Sequence, residues 1–532
     1  MKKIMLITLL VAWGILSSAQ GIFNDGAYIV SQTGSYWVID NGDFTLTSLS
    51  SVNLAQVAHL TIMDDASLTM TPTSYLTVTG TLANHSGEDG LVLDGSTTST
   101  ASLKQTSANV SATVKREIAS WSTNHGWHFL SSPVSSQAIS PEFVDVIANP
   151  MSALVDFYRW SEPLDLWVNI KNLSSTYNKG SGEIYFSNDD SPAFVNGKGY
   201  LVAFQSTVTK NFTGTLNYES VSVTGLSKTD ATGYSGWNLV GNPFSCAIQW
   251  GLGTWNLNNV DENIQIWNEA SASYTIVSDG NDIIPALNGF MVHASVNGAS
   301  LTIPTASRVH DNTSWYKGEL VYENGVVLKA VDPEGSTAQE SIIRFNPEAT
   351  SGYDTRYDSY FLSGYAPQFY SVSNAENYAL NTLPEQAENL VIPMGFVKNG
   401  STHFSIELEE NGMGVGVYLY DRITGLTHKL NDGAYAFSSD EQDTHERFEI
   451  RFSPVGVDEV VSIPQPKVWY ANNKLYVAGG APNTQLAVYD LQGRLMVTWK
   501  LNAGDNNFIL NLPAGIYLAR INQQTIKIVI TN

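Results

Sequence analysis

Eight of the 13 tryptophans fall between Trp121 and Trp267, and an indole face is well suited to stacking on a flat ligand such as a sugar ring. A tryptophan set within an alternating apolar pattern serves more often as a core anchor. Trp250 and Trp255 stand apart because they lie among glycines in Gln249-Trp-Gly-Leu-Gly-Thr-Trp255, so they are the candidate ligand-stacking residues. His125 and His128 are spaced closely enough for a metal pair, but Trp127 beside them opens an apolar strand and no third ligand is evident, so a turn and strand edge is expected. Asp354 and Asp358 are oxygen donors of the kind calcium uses, without the spaced Asp/Asn-Gly loop of a calcium site, and read as a solvated acidic loop. Cys246, the single cysteine, excludes an intramolecular disulfide and has no histidine near it in sequence. It reads as a buried small hydrophobe. The chain carries no His-Glu-x-x-His helix, no Gly-x-Ser-x-Gly elbow, no phosphate-cradling Gly-x-x-x-x-Gly-Lys-Ser/Thr loop and no dinucleotide fingerprint. No catalytic residue, cofactor or metal is therefore expected.

These residues must be held by strands. Charged residues make up 14% of the 532, well below the usual quarter, while Gly, Ser, Thr, Asn and aromatics abound, which favours an all-β, multidomain chain of three or four domains. A net charge of −23 and a pI near 4.6 oppose binding to nucleic acid or anionic lipid. Lys2 and Lys3 precede the apolar run Ile4 to Leu16 and then Ser17-Ser-Ala19, the layout of a signal peptide over residues 1–19 cut between Ala19 and Gln20. No later run is long enough for a transmembrane helix.

Residues 20–118 carry short apolar triplets, Leu60-Thr-Ile62, Leu68-Thr-Met70, Leu76-Thr-Val78 and Leu91-Val-Leu93, at steps of 8, 8 and 15. They are consistent with a β-solenoid-like region, although a short-strand sandwich reads nearly the same. A duplication follows. Gly126-Trp-His-Phe-Leu-Ser-Ser-Pro133 returns as Gly236-Trp-Asn-Leu-Val-Gly-Asn-Pro243, Phe157-Tyr-Arg-Trp160 as Ile264-Gln-Ile-Trp267, and Gly199-Tyr-Leu-Val-Ala203 as Gly289-Phe-Met-Val-His293. Three ordered matches define two β-modules, 119–225 and 226–310. Alternating strands joined by turns such as Asn324-Gly325 and Asp432-Gly433 then predict a β-sandwich over 311–454, and Pro464 and Pro466 mark an exposed linker over 455–466.

The last stretch, 467–532, predicts a small β-sandwich. Pro513 and Gly515 suit a tight turn, after which Tyr517, Ala519 and Ile521 point one way and Ile516, Leu518 and Arg520 the other. Val488-Tyr-Asp-Leu-Gln-Gly493, then Leu512-Pro-Ala-Gly-Ile-Tyr517, then a basic residue at Lys527 together resemble the type A C-terminal sorting domain of the type IX secretion system. The resemblance implies that Gly493, Pro513, Gly515, Tyr517, Arg520 and Lys527 belong to a sorting signal read by that machinery. It departs from the family in ending Thr531-Asn532 where many members carry several lysines. The Gly-Trp-Asn-Leu-Val-Gly-Asn-Pro phrase is similar to one in large surface proteins with the same tail. The expectation is a secreted or outer-membrane cell-surface protein without enzymatic activity, adhesin-like, with an extracellular glycan or protein as ligand. A carbohydrate-active enzyme, its binding accessory, or a purely structural surface-layer protein is the alternative.

Overall fold

The computed structural model describes residues 35–47, 55–121, 126–144, 154–170, 178–179, 183–184, 192–229, 234–277, 283–311, 322, 324–385, 390–452 and most of 467–530. The expected leader over 1–19, with Ala19 and Gln20, and the expected linker over 455–466 lie outside them. The chain is all-β and multidomain, in two compact units, Met1–Ser453 and Pro454–Asn532. Among the described residues the helical pieces are three-residue 3-10 turns.

Ten short strands come first: β1 (Tyr36–Ile39), β2 (Gly42–Leu46), β3 (Ala55–Val57), β4 (His59–Ile62), β5 (Ala66–Met70), β6 (Tyr75–Val78), β7 (Leu82–Asn84), β8 (Leu91–Leu93), β9 (Ser102–Lys104) and β10 (Ser111–Ile118). They coil into a three-faced parallel solenoid. One face stacks β1, β4 and β7, the second β2, β5, β8 and β10, the third β3, β6 and β9. Leu60, Leu68 and Leu76, eight apart, occupy the three successive faces of one coil, each fully buried. The coil itself is longer, since Leu68 lies against Leu91, a step of 91 − 68 = 23. The uneven step from Leu76 to Leu91 passes Leu82, which lies against Leu60 on the first face. Asn41 and Asp65, left-handed at φ 61° and 63°, turn consecutive coils at the same corner, a conformation that Asn and Asp tolerate better than most residues. Each buried leucine contributes on the order of 2 kcal/mol, so a coil is held mainly by its stacked apolar column.

Two similar modules follow. The first contains β11 (His128–Leu130), β12 (Val155–Ser161), β13 (Leu166–Asn169), a small hairpin of β14 (Asn178–Lys179) and β15 (Glu183–Ile184), β16 (Tyr200–Phe204) and β17 (Val208–Thr215). The second contains β18 (Val221–Leu226), β19 (Trp237–Gly241), β20 (Ala247–Gln249), β21 (Asn256–Asn258), β22 (Ile264–Asn268), β23 (Ser273–Val277), β24 (Ile283–Ile284), β25 (Gly289–His293), β26 (Ala299–Ile303) and β27 (Arg308–Val309). The sheet order β11-β16-β12-β13 recurs as β19-β25-β22-β23, so the three matched phrases occupy equivalent strands. Gly126 and Gly236, which precede the paired tryptophans, are both left-handed, at φ 72° and 80°. A Cβ on Gly126 would stand 2.1 Å from Trp121 Cβ, and one on Gly236 2.5 Å from His293 Nε2. The phrase therefore needs glycine on both conformational and steric grounds.

The modules differ in what lies behind them. The solenoid's second face continues through β10 into antiparallel β17, and one buried cluster runs from Trp37 through Phe157 and Phe212. The first module thus shares the solenoid's core. The second is closed by sheets β18-β26-β21 and β24-β20-β27 over a separate cluster that includes Phe244, Cys246, Trp250 and Phe290. Asn242 of its Gly-Asn-Pro turn is fully buried, donating to the carbonyls of Cys246 (3.0 Å) and Pro285 (2.9 Å) while accepting the Phe244 amide. That part of the repeated phrase is a structural staple.

Residues 325–452 form a single eleven-stranded sheet. It doubles over so that Phe396, near one end, meets Phe404 and Phe437, near the other, at 5.1 and 4.9 Å. The expected sandwich is one sheet folded on itself. The unit Pro454–Asn532 holds a three-stranded and a four-stranded sheet around Leu486, Val488, Tyr517, Ala519 and Ile521.

Candidate functional site

The two modules meet through a reciprocal pair of bonds. The Trp160 indole of the first donates to the Trp237 carbonyl of the second (2.6 Å), and the Trp267 indole of the second donates to the Trp127 carbonyl of the first (2.9 Å). Trp160 and Trp267 are equivalent positions, as are Trp127 and Trp237. Each donor also faces an aromatic across its hairpin, Trp160 opposite Trp167 and Trp267 opposite Tyr274, with centroids 5.2 Å apart in both cases. The hairpins turn on left-handed Asp165 (φ 52°) and Ala272 (φ 54°). The arrangement is a pseudo-twofold within one chain.

Its two halves are unequal. On the first-module side a cleft of about 320 Å³ opens. Tyr274, Met291 and Leu362 make its buried floor, and half-buried Trp160, Trp167 and Tyr234 make its walls. Burial, then the Tyr234 and Tyr365 hydroxyls, hold the Tyr274 phenol well above its ordinary range, so it stays protonated. Tyr234 is fixed by a hydrogen bond between its hydroxyl and that of Ser363. Asp165 supplies the carboxylate in the lining, and its Oδ1 is buried without a hydrogen-bond donor from the protein. Beside it, Glu162 Oε1 accepts the amides of Thr229 (2.6 Å) and Gly236 (2.9 Å), pinning the first-module hairpin to the segment that carries Tyr234. Burial works to raise the Glu162 carboxyl, but these amides with the Ser227 and Thr229 hydroxyls outweigh it and hold it below its usual range. On the second-module side the same space is filled by the chain. The amides of Tyr365 and Ala366 donate to the Ala272 carbonyl (2.9 and 3.1 Å), and the Tyr365 ring packs edge-on against Trp267 at 6.1 Å. Aromatic walls with one carboxylate can grip a ligand by its apolar or cationic surface while accepting one charge-assisted hydrogen bond.

The residues singled out by sequence lie elsewhere. Trp250 is 3% exposed, donates to the Glu262 carbonyl (2.6 Å) and belongs to the second module's core. Trp255 is half-buried against it, centroids 4.4 Å apart, and donates to the Leu252 carbonyl. Trp250 therefore offers no open face. His125 lies outside the described residues. His128 is buried with both ring nitrogens engaged, Nδ1 by Glu269 and Nε2 by the Ala119 carbonyl. Among the described residues no group of three or more His, Cys, Asp and Glu is arranged for a metal. Asp354 and Asp358 cap a tight turn, and Asp358 is 1% exposed rather than solvated. Burial pushes its carboxyl up to about 7, against the amides of Asp354 and Thr382 that it accepts. Cys246 is fully buried, its thiol pushed up to about 11 by desolvation.

In the second unit Gly493 is left-handed (φ 79°), and its amide donates to the Asp490 carbonyl. Tyr517 is buried and donates to the Pro513 carbonyl at 3.0 Å. Gly515 opens a strand, Gly515–Ile521, paired with Gln524–Ile530. Arg520 and Lys527 both point outward from that pair, beside exposed Ile516 and Val529.

A family profile matches residues 32–280 and again 273–452, which is most of the chain. The chain belongs to the family described as a domain of unknown function (DUF8693). Both family matches end before the second compact unit. Among curated proteins it is similar to the minor fimbrium subunit Mfa5 of Porphyromonas gingivalis, 23% identical over 369 residues. That alignment covers 61% of this chain but 30% of the relative, so the chain spans less than a third of the relative's length. No helix among the described residues is long and apolar enough to cross a membrane.

Within the family fold, Asp165, Tyr234, Tyr274, Met291, Leu362 and Ser363 escaped the sequence reading. One local signal was available: Trp160 and Trp167 flank Pro163 and Asp165, which is a hairpin tip with an acid held between two indoles. The remaining lining comes from strands and a loop brought close only by the fold.

Proposed function

We propose that this chain is an exported, adhesin-like binding protein without catalytic activity, secreted or held at the outer-membrane surface of a diderm bacterium. The observation that carries the reading is the cleft between the modules, where the described residues join four aromatic rings to the Asp165 carboxylate. The relative named as a fimbrium subunit supports a surface location. In this reading residues 1–19 are a leader cut between Ala19 and Gln20, 455–466 a linker, and 467–532 the domain read by type IX machinery. Arg520 and Lys527 lie on its outward face, and Gly493, Pro513, Gly515 and Tyr517 shape its turns. The ligand is an extracellular glycan or protein.

Two experiments test this reading. The mature chain on glycan and protein arrays should retain a ligand without turning it over. Turnover that disappears in Asp165→Asn would make it an enzyme, and retention of nothing would favour a purely structural surface protein. A reporter fused to residues 455–532 should cross the outer membrane, and Tyr517→Ala should hold it in the periplasm. Export of the Tyr517 variant at the parental level would remove the sorting role.

A further inference from the structure

The walls of the cleft form a corner. Trp160 meets Trp167 at 60°, centroids 5.2 Å apart, and meets Tyr234 at 80°, centroids 5.8 Å apart. A sugar ring stacks best on one flat face ringed by several hydrogen-bonding side chains. Rings set at steep angles instead line one compact volume from different sides, and the electron-rich face of any ring turned toward it attracts a cation. The carboxylate in the lining adds to this attraction. A buried carboxylate oxygen without a donor is costly to desolvate, and an occupant bringing positive charge or N–H groups relieves that cost. The net charge of −23 also raises the local concentration of cations.

The pseudo-twofold supplies an internal comparison. Where the second module places Ala272, the chain covers the half-site with its own Tyr365 and Ala366. A Cβ on Gly364 there would fall 2.9 Å from the Trp267 ring, so the covering backbone is seated closely. At the matching place in the first module stands Asp165, and among the described residues no segment covers that half. The half closed by the chain carries a methyl group, and the half left open carries a carboxylate.

We infer that the cleft around Asp165 binds a compact ammonium cation that carries N–H donors, the chemistry of a lysine side chain on a protein partner. This inference rests on the binding reading above and names its ligand class. The test is ligand-observed NMR on the full mature chain with four probes: choline, Nα-acetyl-lysine methylamide, the neutral choline isostere 3,3-dimethylbutan-1-ol, and methyl β-glucoside. The lysine probe should give saturable millimolar binding, with choline weaker and the neutral alcohol at least about tenfold weaker. Asp165→Asn should weaken the lysine probe by about the same factor. Trp167→Leu, which removes the ring but keeps an apolar side chain, should weaken it too. Tighter binding of the lysine probe supports the protein partner, and tighter binding of choline overturns it. Equal binding of the lysine probe and the neutral alcohol, or an unchanged Asp165→Asn variant, overturns the inference. Binding of the glucoside alone overturns the ammonium class and leaves the binding reading intact. Absence of saturable binding by all four overturns the inference, and the arrays then decide the broader reading separately.

Discussion

The first and second modules use the same four strands in the same order, and each lends an indole proton to the other's backbone. They diverge in what each was required to cover. The first shares its interior with the solenoid through β10 and β17, and its hairpin leaves a cleft. The second has its own core, and its hairpin is covered by the loop around Tyr365. A duplicated unit can thus keep one interface while its two copies specialise, one in closing the fold and one in presenting a surface. The reciprocal bonds use backbone carbonyls, so side chains around them were free to differ.

The largest expected effect comes from the anchor tryptophans. Trp237 is 1% exposed whereas Trp127 is half-buried. Trp237→Ala should therefore cost about 3–5 kcal/mol and Trp127→Ala distinctly less. Urea unfolding of the full chain followed by tryptophan fluorescence checks this, and equal losses would show the two halves to be energetically alike.

Next in size is the attachment of the second module to the solenoid. His310 Nε2 meets Thr77 Oγ1 at 2.7 Å and Nδ1 meets Ser102 Oγ at 2.8 Å. Burial, then the Lys104 charge, lowers its pKa to about 4. An unfolded histidine titrates near 6.5, so on acidification the unfolded chain takes up the proton first. Stability is full above about 6.5 and falls as pH drops toward about 4, by roughly 3 kcal/mol if the whole shift is realised. His310→Asn should flatten that decline, and an unchanged acid profile would assign the acid sensitivity to other groups.

A smaller effect tests the first module's own tie. Glu162→Ala leaves the Thr229 and Gly236 amides without their acceptor, at a cost of about 1–3 kcal/mol. Hydrogen exchange should quicken at those two amides, while the Ala272 side remains protected. Tyr365→Ala should have the smallest effect, about 1 kcal/mol, because the residue is 54% exposed, the bond between its hydroxyl and Trp127 is the polar tie lost, and the backbone bonds to Ala272 do not need the ring. A larger loss would mean that the ring itself holds the covered half shut.

Much of this architecture is set by local rules and was legible without coordinates. Strand alternation in Gly515–Ile521 follows from the two-residue period of a strand, and its burial pattern agrees, with Tyr517, Ala519 and Ile521 inside. The duplication was visible because each matched phrase serves one local job, glycine for a left-handed turn and tryptophan for the core behind it. The solenoid was half legible. Steps of eight mark the faces of one coil, but the 23-residue coil emerges only when Leu91 settles against Leu68.

Tertiary packing decided the rest. Whether a tryptophan is a wall or a filling depends on what packs against it from distant parts of the chain, and Trp250 was drawn inward while Trp160 and Trp167 were left at a rim. The cleft joins a hairpin tip at Asp165 to Tyr274, more than a hundred residues later, and to Leu362 beyond that. Composition and periodicity describe neighbours along the chain. Contacts across such separations depend on how folded modules dock, and here that docking left one acid open and covered its counterpart.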